Sequence, residues 1–220
     1  MIVFEDVYKA YHIRKFEKQV LRGVTFKIDH GASVGICGAN GAGKSTLMRL
    51  ISGVESPTAG RVSRTMTTSW PLGYTSCFQN SLTGADNARF IARIYNRPIE
   101  ELLAYVEEFA ELGPYFYQPI ETYSAGMIAR LAFGISLAVN FDCYLVDEVT
   151  SAGDERFRAR CEDALNERRQ TGTLVMISHD PYTLREYCST GAVLFGGKLT
   201  FYDTIDEALA MHSQLQMQAA

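Results

Sequence analysis

Three observations predict an α/β fold with a mainly parallel sheet and an inserted helical block. First, apolar runs such as Val34-Gly35-Ile36-Cys37, Cys143-Tyr144-Leu145-Val146 and Thr173-Leu174-Val175-Met176-Ile177 alternate with helical stretches. Strands so uniformly apolar are those buried on both faces, as in a parallel sheet flanked by helices. Second, the first run leads through a glycine-rich loop into Leu47-Met48-Arg49-Leu50-Ile51, which has helical spacing; strand, loop and helix form one supersecondary unit. Third, residues 82–140 carry helical rather than strand periodicity. We therefore expect one domain over residues 1–220, with 82–140 as a helical subdomain inside it.

Taken in order, residues 2–7 and 20–28 read as strands. The segment between them, around Arg14, Lys15, Glu17 and Lys18, reads as a charged loop. Asp29-His30-Gly31 turns the chain into the strand before the glycine-rich loop. The helix from Lys44 ends at Gly53, and Ser56-Pro57-Thr58-Ala59-Gly60 is a turn. Residues 61–78 read as short strands broken at Trp70-Pro71. From Leu82 one helical face carries Phe90, Ile91, Ile94 and Tyr95, and another carries Ile99, Leu102, Leu103, Val106 and Phe109. Gly113-Pro114 ends that helix. The next begins near Ser124 and runs through Met127, Ile128, Leu131 and Ile135. A polar helix over 154–170 closes at Gly172. The tail reads as a helix, a hairpin turning at Gly196-Gly197, and a last helix from Ile205.

The bulk numbers narrow the partners. The 220 residues carry a net charge of −4, which favours neither nucleic acid nor an anionic lipid surface. Five scattered cysteines, odd in number and without metal-ligand spacing, point to reduced thiols. The N-terminus lacks a basic segment followed by an apolar one, so no signal peptide is expected. The longest apolar stretch, Leu131 to Val139, is far shorter than a bilayer span. An otherwise soluble chain held at a membrane by a partner fits all of this.

The chemistry centres on Gly38-Ala39-Asn40-Gly41-Ala42-Gly43-Lys44-Ser45-Thr46, which matches G-x-x-x-x-G-K-[ST] between a strand and a helix. Its glycines let successive N–H groups converge on phosphate oxygens, and the new helix adds its positive end. Lys44 can reach the β- and γ-phosphates, and the Ser45 hydroxyl can ligate Mg²⁺. Chance alone would produce such a match in roughly one chain in a hundred of this length. The apolar strand ending in Asp147-Glu148 strengthens the reading, because parallel sheets present ligand groups at the carboxyl ends of their strands. Asp147 suits Mg²⁺ or its water, and Glu148 suits polarising an attacking water.

On these residues the chain resembles the nucleotide-binding subunit of an ABC transporter, over nearly its whole length. Gln79 stands where that family has its Q-loop glutamine, and Ser124-Ala125-Gly126 where it has its signature loop. Ser151-Ala152-Gly153-Asp154 is similar to the D-loop, and His179 to the switch histidine. Tyr11 is similar to the aromatic that stacks on adenine, with Tyr8 and His12 as alternatives. The resemblance implies a P-loop NTPase core with a mainly parallel sheet, an N-terminal antiparallel β part and the helical insert. It further implies ATP and Mg²⁺ as ligands. Catalysis would rest on Glu148, His179, Lys44 and Gln79. Nucleotide would be held by Tyr11, Gly38, Asn40, Gly41, Ala42, Gly43, Lys44, Ser45 and Thr46, with Ser124, Ala125, Gly126 and Asp154; the metal would be held by Ser45, Gln79 and Asp147.

The signature loop departs from the common Leu-Ser-Gly-Gly-Gln: it reads Tyr123-Ser124-Ala125-Gly126-Met127. Ser124 and the N–H groups at a helix start still form an anion site. Alanine adds a methyl group there, and Met127 lacks the usual amide. In the family this loop meets ATP bound to a second copy, so a head-to-tail homodimer is implied.

Ser69-Trp70-Pro71-Leu72-Gly73, the stretch Leu82 to Phe90, and Asp147-Glu148-Val149 resemble ATPases of bacterial polysaccharide exporters, capsule exporters above O-antigen and teichoic-acid exporters. That resemblance implies integral-membrane permease subunits, a polysaccharide contacted by the permease, and a place on the cytoplasmic face of the inner membrane. The surface around Gln79 to Asn87, between core and insert, is where a cytoplasmic helix of the permease is expected. A soluble P-loop kinase and a non-transport ABC ATPase are the rivals. Neither a kinase nor a GTPase is expected to carry the Ser124 loop or the strand ending at His179.

Overall fold

Three adjacent parallel strands end level with one another, and their carboxyl ends carry the chemistry. The structure is a computed structural model describing residues 1–13, 16–75, 78–147 and 154–219. It divides into two compact units: Met1–Pro71 with Phe141–Glu148 and Arg168–Ala220, and Leu72–Asn140 with Val149–Glu167.

In the first unit, β1 (Ile2–Ile13) pairs antiparallel with both β2 (Phe16–Ile28) and β4 (Ala59–Arg64). The hairpin is longer than the sequence suggests. Tyr11 faces Lys18 and His12 faces Glu17 in a region expected to be a charged loop. Backbone pairing needs no apolar alternation where both faces of a ribbon reach water, which is why the pattern misled.

The second sheet has the order β5-β6-β7-β3-β8-β9. Its members are β3 (Ser33–Cys37), β5 (Thr68–Pro71), β6 (Cys143–Asp147), β7 (Thr173–Ile177), β8 (Thr190–Phe195) and β9 (Lys198–Tyr202). All neighbours are parallel except β8 and β9, as expected of a mainly parallel sheet. Trp70-Pro71 is not a break but the end of β5. This strand lies at the sheet's edge, where a missing proline N–H costs no ladder bond. Ile177 pairs with both Asp147 and Ile36, so β6, β7 and β3 finish together.

β7 is buried throughout and β3 over its last four residues. Their core continues through Leu47, Met48, Leu50 and Ile51 of α1 (Lys44–Ser52) to Phe4 and Phe26 of the hairpin. The rings of Phe4 and Phe26 stack at 4.3 Å. Burying a large apolar side chain of this kind contributes about 1.5–3 kcal/mol, so the antiparallel ribbon is fastened to the phosphate-loop helix by a shared core. Helices α6 (Pro181–Tyr187) and α7 (Ile205–Ala219) complete this unit.

The second unit holds α2 (Gly84–Ile94), α3 (Ile99–Ala110), two short 3₁₀ turns and α4 (Ala125–Ala138). Its core includes Phe109 stacked on Phe133, with Phe157 edge-on to Phe109. Phe157 belongs to α5 (Glu155–Thr171), which starts in this unit. The single helix expected from Leu82 to Gly113 is two, divided by left-handed Asn96 and by Pro98. The expected apolar face of α2 is also corrected. Ala85, Ala88, Ile91 and Ala92 are buried, whereas Phe90 and Ile94 are each 56% exposed. Small alanines let α2 approach its neighbours closely and turn its largest side chains outward. No helix among the described residues is long and apolar enough to cross a membrane.

Candidate functional site

The loop after β3 wraps the start of α1 with glycines placed by contact as well as conformation. Gly43 has φ 108°, a value L-residues rarely adopt. A Cβ on Gly38 would lie 2.8 Å from the Leu194 carbonyl oxygen. The loop is therefore pressed against β8, and its backbone has one course to follow.

Lys44 opens the helix and is buried. Its ammonium donates to the carbonyls of Gly38 at 2.6 Å and Ala39 at 3.1 Å. A buried cation needs such partners, and here the loop itself supplies them. At the end of β3, burial pushes the Cys37 thiol up to about 11 even though the Lys44 charge pulls it down. Cys37 therefore stays protonated and is no nucleophile at neutral pH.

A cavity of about 530 Å³ opens over this loop. Tyr11, Asn40, Gly41, Gly43, Lys44, Ser45, Thr46, Asp147 and His179 line it, nine of the residues named from sequence. Gly38 and Ala42 belong to the same loop. Of the three aromatics weighed for the base, Tyr11 lines the cavity, and Tyr8 and His12 are not among its lining residues. Lys18, Val20 and Ile177 line it too and were not foreseen. Lys18 could have been found only from the hairpin register that places it opposite Tyr11.

His179 is carried on a short connection fixed at both sides. Asp180 donates its N–H to Ser178 Oγ at 3.0 Å and caps α6 by accepting from Tyr182 and Thr183. Hydrogen bonds from the Thr183 side chain and backbone hold the Asp180 carboxyl below its usual range, so the cap is ionised.

The hydroxyls of Ser45 and Thr46 and the carboxylate of Asp147 are hard oxygen donors, the type Mg²⁺ selects. Among the described residues no group of three or more His, Cys, Asp or Glu side chains forms a metal cage. A Mg²⁺ site that borrows phosphate oxygens needs none. The oxygen donors and the buried lysine on the cavity wall fit a Mg²⁺-polyphosphate ligand.

Gln79, Ser124, Ala125, Gly126 and Asp154 belong to the second unit. Gln79 exchanges backbone hydrogen bonds with the Asn87 side chain, and its amide donates to Ser81 Oγ at 3.2 Å. Ser124 is the N-cap of α4, accepting from Met127 N–H at 3.3 Å. The N–H groups of Ala125 and Gly126 follow in the first turn, where helices leave donors without intrahelical acceptors. The Asp154 carboxylate is engaged locally: it caps α5 through Phe157 N–H at 2.9 Å and pairs with Arg130 of α4 at 2.8 Å. Glu148 and Ser151, Ala152 and Gly153 lie outside the described residues.

Comparison with known proteins decides the family, because a family model described as ABC transporter matches residues 21–151. The chain belongs to the ABC transporter family. Among its relatives, the capsule polysaccharide export ATP-binding protein CtrD of Neisseria meningitidis serogroup B is 49% identical, the match covering 98% of this chain and 100% of that one. The polysialic acid transport ATP-binding protein KpsT of Escherichia coli is 40% identical, with 98% of each chain covered. The fold of this ABC transporter chain is that of the ATP-binding cassette MJ0796, whose dimeric post-hydrolysis structure with ADP and Pi superposes with a TM-score of 0.79. That match has 21% identity and covers 92% of this chain and 98% of the other.

Proposed function

We propose that this chain is the ATP-hydrolysing subunit of an ABC transporter that exports a cell-surface polysaccharide, capsular polysaccharide above all, across the inner membrane. The observation that carries the activity is the convergence of Lys44, Ser45, Asp147 and His179 on one cavity at aligned strand ends. Near-full-length identity to a capsule exporter's ATPase supports the cargo.

In this reading Tyr11 stacks on adenine, and the N–H groups of residues 38–46 receive the phosphates. Lys44 exchanges its loop carbonyls for phosphate oxygens, so the cation is satisfied in both states. Ser45, Gln79 and Asp147 would hold Mg²⁺, which when bound neutralises charge on the phosphates. Glu148 orients the attacking water as general base, and His179 holds the γ-phosphate. Ser124, Ala125 and Gly126 of a second copy close over the same phosphates. Asp154 contributes by capping α5 and by its tie to Arg130.

The membrane partner docks around Gln79 to Asn87 and extends onto the exposed side chains of Leu82, Phe90 and Ile94. Large apolar side chains left exposed on and just before α2 support this reading. The polysaccharide is handled by that partner, which keeps this chain peripheral at the cytoplasmic face.

Phosphate release by the purified chain with Mg²⁺ and ATP tests the activity, and capsule staining after gene deletion tests the cargo. The wild-type gene should restore the capsule and Lys44→Ala should not, with hydrolysis by that variant down about 100-fold or more. A Lys44→Ala strain with a normal capsule would overturn the proposal.

A further inference from the structure

The hydroxyl end of Tyr11 lies in a polar cluster that the proposed chemistry leaves unused. Tyr11 donates to Glu55 Oε2 at 2.6 Å, and Arg49 Nε donates to Glu55 Oε1, also at 2.6 Å. Arg49 also reaches back to the Tyr11 oxygen at 3.1 Å and to Thr46 Oγ1 at 3.3 Å. Lys9 completes the cluster, 3.2 Å from Glu55 Oε2, with its ammonium 5.1 Å from the Tyr11 ring centroid. One carboxylate thus gathers three donors from β1 and α1, and the bridge runs from the aromatic on the cavity wall to a threonine of the phosphate-loop helix.

We propose that Glu55, acting with Arg49, is a positioning residue for nucleotide binding, locking the Tyr11 ring in its base-stacking orientation and tying it to Thr46. The inference rests on the reading of Tyr11 as the adenine platform. A tyrosine ring is placed by two torsions: pinning the hydroxyl fixes χ1, and the Lys9 ammonium, held by the same Glu55 carboxylate, sets the ring plane. The Lys9 cation over the ring takes one face and leaves the other for the base. A platform held before the nucleotide arrives spares the ordering cost a free side chain would incur on binding. Burial pushes the Glu55 carboxyl up, but hydrogen bonds from Tyr11, Arg49 and Lys9 outweigh it, so Glu55 stays ionised near neutral pH.

The test uses the full chain and two ligands, ATP and inorganic tripolyphosphate, which has the phosphates without the base. Tyr11→Phe keeps the ring and loses the hydroxyl; Glu55→Ala loses the anchor; Glu55→Gln keeps an acceptor. The first two should raise KM for ATP about threefold to tenfold, with kcat at saturating ATP within twofold and tripolyphosphate inhibition unchanged. Glu55→Gln should recover most of the loss, and the Tyr11→Phe/Glu55→Ala pair should be no worse than either change alone.

Equal weakening of tripolyphosphate would overturn the inference, since the anchor would then serve the phosphates. So would an unchanged KM in Tyr11→Phe while Tyr11→Ala binds ATP poorly, for the ring would then stack without its anchor. If Tyr11→Ala also leaves ATP binding intact, the platform reading itself fails. Circular dichroism of Tyr11→Phe, the least disruptive of the changes, checks that the fold is retained.

Discussion

Gly43 and Val20 approach so closely that a methyl group on the glycine would sit 2.5 Å from the valine Cγ1. The hairpin strand β2 thus rests directly on the last turn of the phosphate loop. Gly43→Ala meets both this clash and a φ of 108°, whereas Gly41→Ala meets only a φ of 77° with open space around it. The left-handed conformation alone costs about 1–2 kcal/mol, so Gly41→Ala should lower the melting temperature by a few degrees. Gly43→Ala should lower it further and also weaken ATP binding. Calorimetry with and without ATP checks the order; equal losses would show that Val20 yields freely.

Ser124 caps α4 and, in the proposed function, also contacts phosphate. As the N-cap of α4 it stabilises the helix, and Ser124→Ala should cost about 1 kcal/mol. As a phosphate contact it should set turnover. Ser124→Asn replaces the cap with an equally good one, so it should restore the melting temperature but not ATP hydrolysis. Recovery of both would reduce Ser124 to a cap.

Burial, then the charges of Lys44 and His179, hold the His212 imidazole below the ordinary histidine value of about 6.5. The fold therefore favours the neutral ring. Above about pH 6.5 neither folded nor unfolded chain protonates this group and nothing is lost; as pH falls through that value the unfolded chain takes the proton first and stability declines. His212→Asn should make the fall in melting temperature between pH 7.5 and 5.5 shallower. Identical slopes in the two proteins would remove His212 from the pH response.

Much of the architecture was legible because burial on both faces leaves an unmistakable record: Cys143 to Val146 and Thr173 to Ile177 read as parallel strands from their residues alone. The phosphate loop was equally plain, its letters being dictated by backbone geometry. The charged half of the β1–β2 hairpin was hidden, since Lys18 and Tyr11 meet only through long-range pairing. The α2 surface misled because Phe90 and Ile94 have helical apolar spacing yet face outward, and periodicity does not say which face a neighbour covers. The Arg49–Glu55–Tyr11 bridge leaves no trace in spacing at all, because Tyr11 comes from β1, far in sequence from α1 and the turn after it that carry Arg49 and Glu55.

In the proposed function two copies of the chain close over ATP, the Lys44 loop of one against the Ser124 turn of the other. Sedimentation of Glu148→Gln, which should bind ATP and hydrolyse it slowly, tests this most directly. With saturating Mg²⁺ and ATP a species of twice the 24.5 kDa chain mass should form, dispersed when Ser124→Arg is added. A chain that stays monomeric at saturating ATP, or a dimer indifferent to Ser124→Arg, would contradict it.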